Sequence, residues 1–253
     1  MWHILLRSKL HRTFESMRLM LFRFTFLMCL IFPGSPMPAQ QASLGSWNIV
    51  QVKYGLTGKL SLFAEAQLRS LRFYTHFHYY EYKGGIEYKA LPGLRLALGA
   101  GDYDTYREGG NFVTPKNNDE FRLWPQVQLS QPLGRFTIEQ RYRAEFRFTS
   151  NGYRNRFRYR LALLFPFGKV VNQVKPFQLS ISNELFFTNR EPYFERNRLA
   201  FNFTYRATPQ LSFMAGYLHQ FDYRINDETG RDFLQLGVYI DIKREEKEKR
   251  SSN

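Results

Sequence analysis

Residues for thiol or clustered-imidazole chemistry are scarce in this chain, which holds one cysteine, Cys29, and five histidines among 253 residues. A single thiol excludes an internal disulfide framework. Long apolar runs are also missing: Phe24 to Phe32 falls well short of the ~20 residues that a membrane-spanning helix needs. Acids are in deficit, 22 against 36 lysines and arginines, for a net charge of +14. That balance alone does not choose among nucleic acid, anionic lipid and no charged partner.

What is present begins with an export signal. Arg18 and Arg23 precede the apolar run, Pro33-Gly34-Ser35-Pro36 breaks it, and the small residue Ala39 follows. These are the parts of a cleavable secretory leader, so residues 1–39 are assigned to it, with cleavage after Ala39. Met17 and Met20 both precede a complete signal, which makes residues 1–16 a candidate mis-assigned start. Cleavage would remove Cys29, five bases and one acid, leaving 31 basic against 21 acidic residues, or +10. Met28 before Cys29 argues against a lipid-modified cysteine.

From residue 43 onward, apolar and polar residues alternate with a period of two, as in strands with two different faces. Leu60, Leu62, Ala64, Ala66 and Leu68 oppose Ser61, Glu65, Gln67 and Arg69; Phe136, Ile138, Tyr142, Ala144, Phe146 and Phe148 oppose Glu139, Arg141, Arg143, Glu145 and Arg147. Such segments recur at about 44–55, 60–69, 80–89, 94–106, 119–131, 136–148, 153–166, 176–188, 195–207, 210–224 and 231–242. Short turns at every second connection, with longer ones such as Arg107 to Asn118 between them, predict an up-and-down order. The connection from Phe167 to Lys175 is long where a short one is expected. If Asn151-Gly152 forms a two-residue turn, Phe146 faces Phe157, Glu145 faces Arg158, Arg147 faces Arg156 and Arg143 faces Arg160.

A soluble barrel would place the apolar face inside, and a membrane barrel would place it outside. Export, apolar faces about ten residues long and aromatics near strand ends favour a transmembrane antiparallel up-and-down β-barrel of ten to twelve strands over residues 40–242. The charged residues 243–253 then form a periplasmic tail. Ten strands from residue 60 onward begin and end on one side; residues 44–55 look like an eleventh, against the usual even count.

Gln235, Gly237, Ile240 and Ile242 on the last segment resemble the C-terminal assembly signal of bacterial outer-membrane proteins, without its terminal aromatic. Trp47, the stretch from Leu60 to Arg69, the run from Arg154 to Arg160 and Asn183-Glu184-Leu185-Phe186 together resemble an uncharacterised outer-membrane family of the Bacteroidota, domain of unknown function 2490. The resemblance covers most of residues 44–242. It implies an outer-membrane barrel and brings no catalytic residues with it.

The polar face would then line a lumen with Glu65, Arg69, Glu81, Lys83, Glu87, Lys89, Arg95, Glu120, Arg122, Glu139, Arg141, Arg143, Glu145, Arg147, Arg156, Arg158, Arg160, Glu184, Arg196, Arg198 and Arg206. Neighbours roughly 5–7 Å apart predict an interior filled by Arg–Glu networks, a structural or scaffold barrel. The alternative is a small anion-preferring pore, since residues 141–160 set seven arginines against Glu145 alone.

An outer-membrane lipid-modifying enzyme is the competing class, but only a loose association of Ser70 with His219 could serve it. His76 and His78 have no third ligand at recognisable spacing. No catalytic residue, metal or cofactor is assigned. Arginines and aromatics on opposite faces speak against nucleic acid, so the expected partners are outer-membrane lipid and the barrel-assembly machinery.

Overall fold

The computed structural model describes residues 43–171, 174–223 and 229–243. The expected leader, Cys29, the expected cleavage site and the tail beyond Lys243 lie outside the described residues. The described chain forms eleven strands: β1 Gly45–Gly55, β2 Leu60–Arg72, β3 Thr75–Leu91, β4 Leu94–Arg107, β5 Val113–Leu133, β6 Phe136–Thr149, β7 Gly152–Phe167, β8 Phe177–Thr188, β9 Phe194–Arg206, β10 Leu211–Asp222 and β11 Thr229–Lys243. They match the eleven alternating segments one for one.

Each strand pairs antiparallel with its neighbour in sequence, and β1 closes the ring against β11. The closing pair is parallel, from Gly45 opposite Phe233 to Gly55 opposite Lys243. An odd number of alternating strands requires this, because the first and last then run the same way. Residues 44–55 are therefore a full barrel strand, and its irregularity lies in the direction of one pairing. With every edge paired, no row of backbone donors and acceptors is left open.

One register expectation is corrected. β6 and β7 pair as Thr149 with Gly152, Glu145 with Arg156, Arg143 with Arg158 and Arg141 with Arg160, two residues away from the predicted alignment. The turn is Ser150-Asn151, and Thr149 Oγ1 accepts from Asn151 N at 3.0 Å. Only Gly152 takes a positive φ, +98°. A mirror-image two-residue turn at Asn151-Gly152 would need positive φ at both residues, whereas a left-handed glycine after the turn is the longer-loop solution. A two-residue shift preserves the faces, so the inward and outward sets are unchanged.

The expected contrast of short and long connections is also modified. At the rim where β1 ends, Pro92-Gly93 and Gly134-Arg135 join strands in two residues, while the connection from Gly168 to Pro176 is long. At the opposite rim, Phe73-Tyr74 and Ser150-Asn151 are equally short. The asymmetry lies in the strands: β3 has 17 residues and β5 has 21. The loop expected from Arg107 to Asn118 shrinks to residues 108–112. This second rim, beyond which β5 projects, is the overhang rim.

Candidate functional site

Period two sorts the side chains into two environments. Outward-pointing residues include Tyr82, Leu98 and Phe157, which are 60%, 58% and 52% exposed. Inward-pointing residues include Glu81, Glu120, Glu145, Arg156 and Glu184, all buried. A cavity of about 1010 Å³ runs between the strands, with Arg95 toward one end of its lining and Arg107 toward the other. Its wall carries fifteen lysines and arginines and nine carboxylates.

Charge is concentrated on β5–β9. Glu145 is fully buried, with Arg158 at 2.6 Å, Arg156 at 3.6 Å, and Arg122 and Arg143 at 3.8 Å. Glu184 takes Arg141 at 2.5 Å and Arg158 at 2.9 Å. Glu120 is shared by Arg122, at 2.6 Å, and Arg147. Glu195 pairs with Arg156 and lies 3.6 Å from Arg147. Arginine suits such sharing because its planar fork donates in several directions at once.

A smaller cluster sits on β2 and β3. Lys83 bridges Glu65 at 2.6 Å and Glu81 at 2.5 Å, and Glu81 also holds Arg69 at 3.0 Å. Arg196 pairs with Asp222 between β9 and β10. At the overhang rim, Arg231 of β11 meets Glu108 of the β4–β5 connection at 2.5 Å, an ion pair across the mouth between elements that are not neighbours in the ring.

Aromatic rings complete the packing. The Arg69 guanidinium lies 3.5 Å from the Trp47 ring centre and that of Arg198 lies 4.8 Å from it. Trp47 also donates to Gln67 at 2.8 Å. Arg122 stacks on Tyr103 at 3.7 Å and Arg143 on Trp124 at 3.9 Å. Such contacts are worth about 0.5–2 kcal/mol each, more where water is excluded. Trp124 has room because its neighbour on β4 is Gly99: a β-carbon there would fall 2.2 Å from the indole.

Of the thirteen residues singled out on sequence as lumen-lining, Glu65, Arg69, Arg141, Arg143, Arg147, Arg156, Arg158, Arg160, Glu184, Arg196 and Arg198 line the cavity. Glu145 lies beneath the arginines that surround it. Glu139 is bonded by Ser130 at 3.2 Å and is absent from the cavity wall. Lys89 and Arg206 also lie off the wall, Arg206 donating to Gln178 at 2.6 Å. Gln235, Gly237, Ile240 and Ile242 all sit on β11; Gln235 is buried, Gly237 lies under the Tyr239 ring and Ile242 is exposed.

Ser70 and His219 are not brought together. Ser70 is buried against Ser46 at 2.6 Å, whereas His219 Nδ1 meets Asp232 at 2.7 Å. His76 is half-buried beside Thr75, and His78 is buried. Among the described residues, no three metal-binding side chains gather.

Several interior residues were missed on sequence. Trp124 and Phe186 share strand parity with Arg122 and Glu184, so alternation alone could have found them, whereas Tyr103 lies between Asp102 and Asp104 and alternation would point it outward. Glu195 breaks parity: a register shift at Phe186/Phe187 lets it reach Arg156, and no periodic signal marks it.

Fold and interior together define a closed all-β barrel with apolar side chains outside and paired charges within. A family model described as "Protein of unknown function (DUF2490)" matches residues 44–231, and the chain belongs to that family. No curated protein and no solved structure matches the chain.

Proposed function

We propose that this protein is an outer-membrane β-barrel of a diderm bacterium, exported by its cleavable leader, whose charge-filled interior makes it a structural or scaffold barrel and not an enzyme. The observation that carries this is the outward face. Val50, Leu62, Tyr82, Leu98, Phe121, Phe146, Phe157, Ile181, Phe201 and Phe213 are all exposed, one on each strand from β1 to β10. Water tolerates apolar patches of only a few hundred Å² on a monomer, and a belt around a whole barrel exceeds that. Lipid accepts such a belt, provided that the sheet has no open edge.

The barrel-assembly machinery is the partner this proposal requires, with Gln235, Gly237, Ile240 and Ile242 as its recognition strand. Electrophoresis of the outer-membrane fraction with and without boiling tests the proposal. A compact band that shifts on heating, absent from the periplasmic fraction, is expected; a soluble periplasmic protein would sink it.

A second function, a small anion-preferring pore, is favoured by the cationic excess and length of the cavity wall. Purified protein in planar bilayers should then conduct with anion preference. Electrical silence would leave the scaffold alone.

A further inference from the structure

The arginines of β6 and β7 meet in like-charged pairs across the hairpin. Arg141 faces Arg160, Arg143 faces Arg158 and Arg147 faces Arg154. Like charges directly opposite each other on one sheet face are destabilising unless something lies between or beside them. Two of the pairs are provided for. Arg143 and Arg158 share Glu145, and Arg158 also takes Glu184. Arg147 has Glu120 and Glu195, and its partner Arg154 is exposed.

The remaining pair differs. Arg141 has one carboxylate, Glu184, which it shares with Arg158. Arg160 makes no ion pair or hydrogen bond among the described residues, although it lines the cavity and faces Glu184 on β8. The Nε atoms of Arg141 and Arg160 are both buried and without a partner. Two forks therefore stand side by side on a cavity wall; their Nε atoms are closed off, but the Nη atoms of Arg160, unpaired among the described residues, are open to the cavity, whose wall also carries Ser182. Planar, multi-donor guanidinium groups match the oxygens of phosphate and similar oxoanions, whereas a spherical halide uses little of that geometry.

The geometry points to an oxoanion site on the inner wall of the barrel, in which Arg141 and Arg160 hold the phosphate group of a small water-soluble ligand. A bound dianion supplies the counter-charge that no ion pair among the described residues gives Arg160. A phosphate carried by a lipid headgroup has the same chemistry, but the inward position of the site selects the freely diffusing form. The inference needs the closed barrel and not its place in a membrane, so fractionation and ligand binding can fail independently.

Calorimetric titration of the folded full-length barrel in detergent tests this, with inorganic phosphate, glycerol 3-phosphate and dihexanoyl phosphatidic acid in separate arms and chloride as the background salt. Saturable binding of the two soluble phosphates is expected, with tenfold or greater weakening in Arg160→Gln and no change in Arg154→Gln. Heat-modifiability checks that each variant is folded. Should Arg160→Gln fail to fold, Arg160→Lys keeps the charge without the fork, and a weakening of at least several-fold is then expected. Absence of phosphate binding, equal loss in Arg154→Gln and Arg160→Gln, or undiminished binding in Arg160→Lys would overturn the site. Preferential binding of the lipid phosphate would overturn its assignment to a soluble ligand.

Discussion

The two sides of the barrel interior are built by different physics. On β5–β9, space is filled by arginines gathered around a few carboxylates. Around the seam, where β1 closes against β11, Trp47 and Ile49 of β1 pack with Ala200, Leu218 and Phe233, and Met214 and Tyr239 join them. The seam wall is held by apolar contact, which is graded and tolerant; a lost methyl group costs what that group contributed. In the arginine wall, each carboxylate is shared, so one loss strands several cations. Net charge is therefore a poor guide to robustness here, and the number of arginines per carboxylate is a better one.

Substitutions on the two walls should differ accordingly. The largest effect is expected from Glu145→Gln, which leaves Arg122, Arg143, Arg156 and Arg158 without their common carboxylate. Breaking a buried ion pair costs about 3–5 kcal/mol. Urea titration followed by the heat-modifiable band should show a sharply lower midpoint or no folded species at all. A loss below about 1 kcal/mol would mean that water in the cavity screens the four arginines from one another.

Leu218→Ala, on the seam wall, comes next. Truncating a buried leucine costs about 2–5 kcal/mol, and the lower half of that span is expected because Leu218 borders the cavity and its neighbours can relax. The same urea titration should give a smaller shift than Glu145→Gln, and the shift should be unaffected by added salt. Gly99→Ala follows, since the new methyl group collides with Trp124. Overpacking of this kind costs about 1–3 kcal/mol, and a red-shifted tryptophan emission should report the displaced ring. Arg154→Gln is the smallest: exposed at the overhang rim, it should shift stability by no more than about 0.5 kcal/mol. A large loss there would show that the third arginine pair depends on more than Arg147.

Much of the shell was legible because a period of two is a direct readout of a sheet with unlike faces. All eleven strands announced themselves in this way. The parts that did not are informative. Residues 113–118 of β5 read as loop, because Thr114-Pro115-Lys116-Asn117-Asn118 offers no apolar alternation, and the overhang extends where two unlike environments no longer exist. Register at the β6–β7 hairpin was two residues off, because Asn-Gly marks a turn without fixing which of its residues takes the positive φ. The partner of β1 could not be read at all: antiparallel neighbours are announced by the turn between them, and the β1–β11 pair has none. For the interior, alternation named the charged residues, while the sharing of carboxylates and the cover by Trp47, Tyr103 and Trp124 arise only once the ring is closed.

The odd strand count behaves like a ring of spins in which every neighbour prefers to point the opposite way. With eleven members, one bond must be frustrated, and here the chain places that bond where it has no connecting turn. Removing or adding a whole hairpin would leave the frustration in place, whereas deleting β1 alone would leave ten strands able to close with every pair antiparallel. The same parity sends the chain's entry at Gly45 and its exit at Lys243 to opposite mouths. A circular permutant would therefore need a connector running the full height of the wall, some 35 Å for an eleven-residue strand, and a two-residue turn could not replace it.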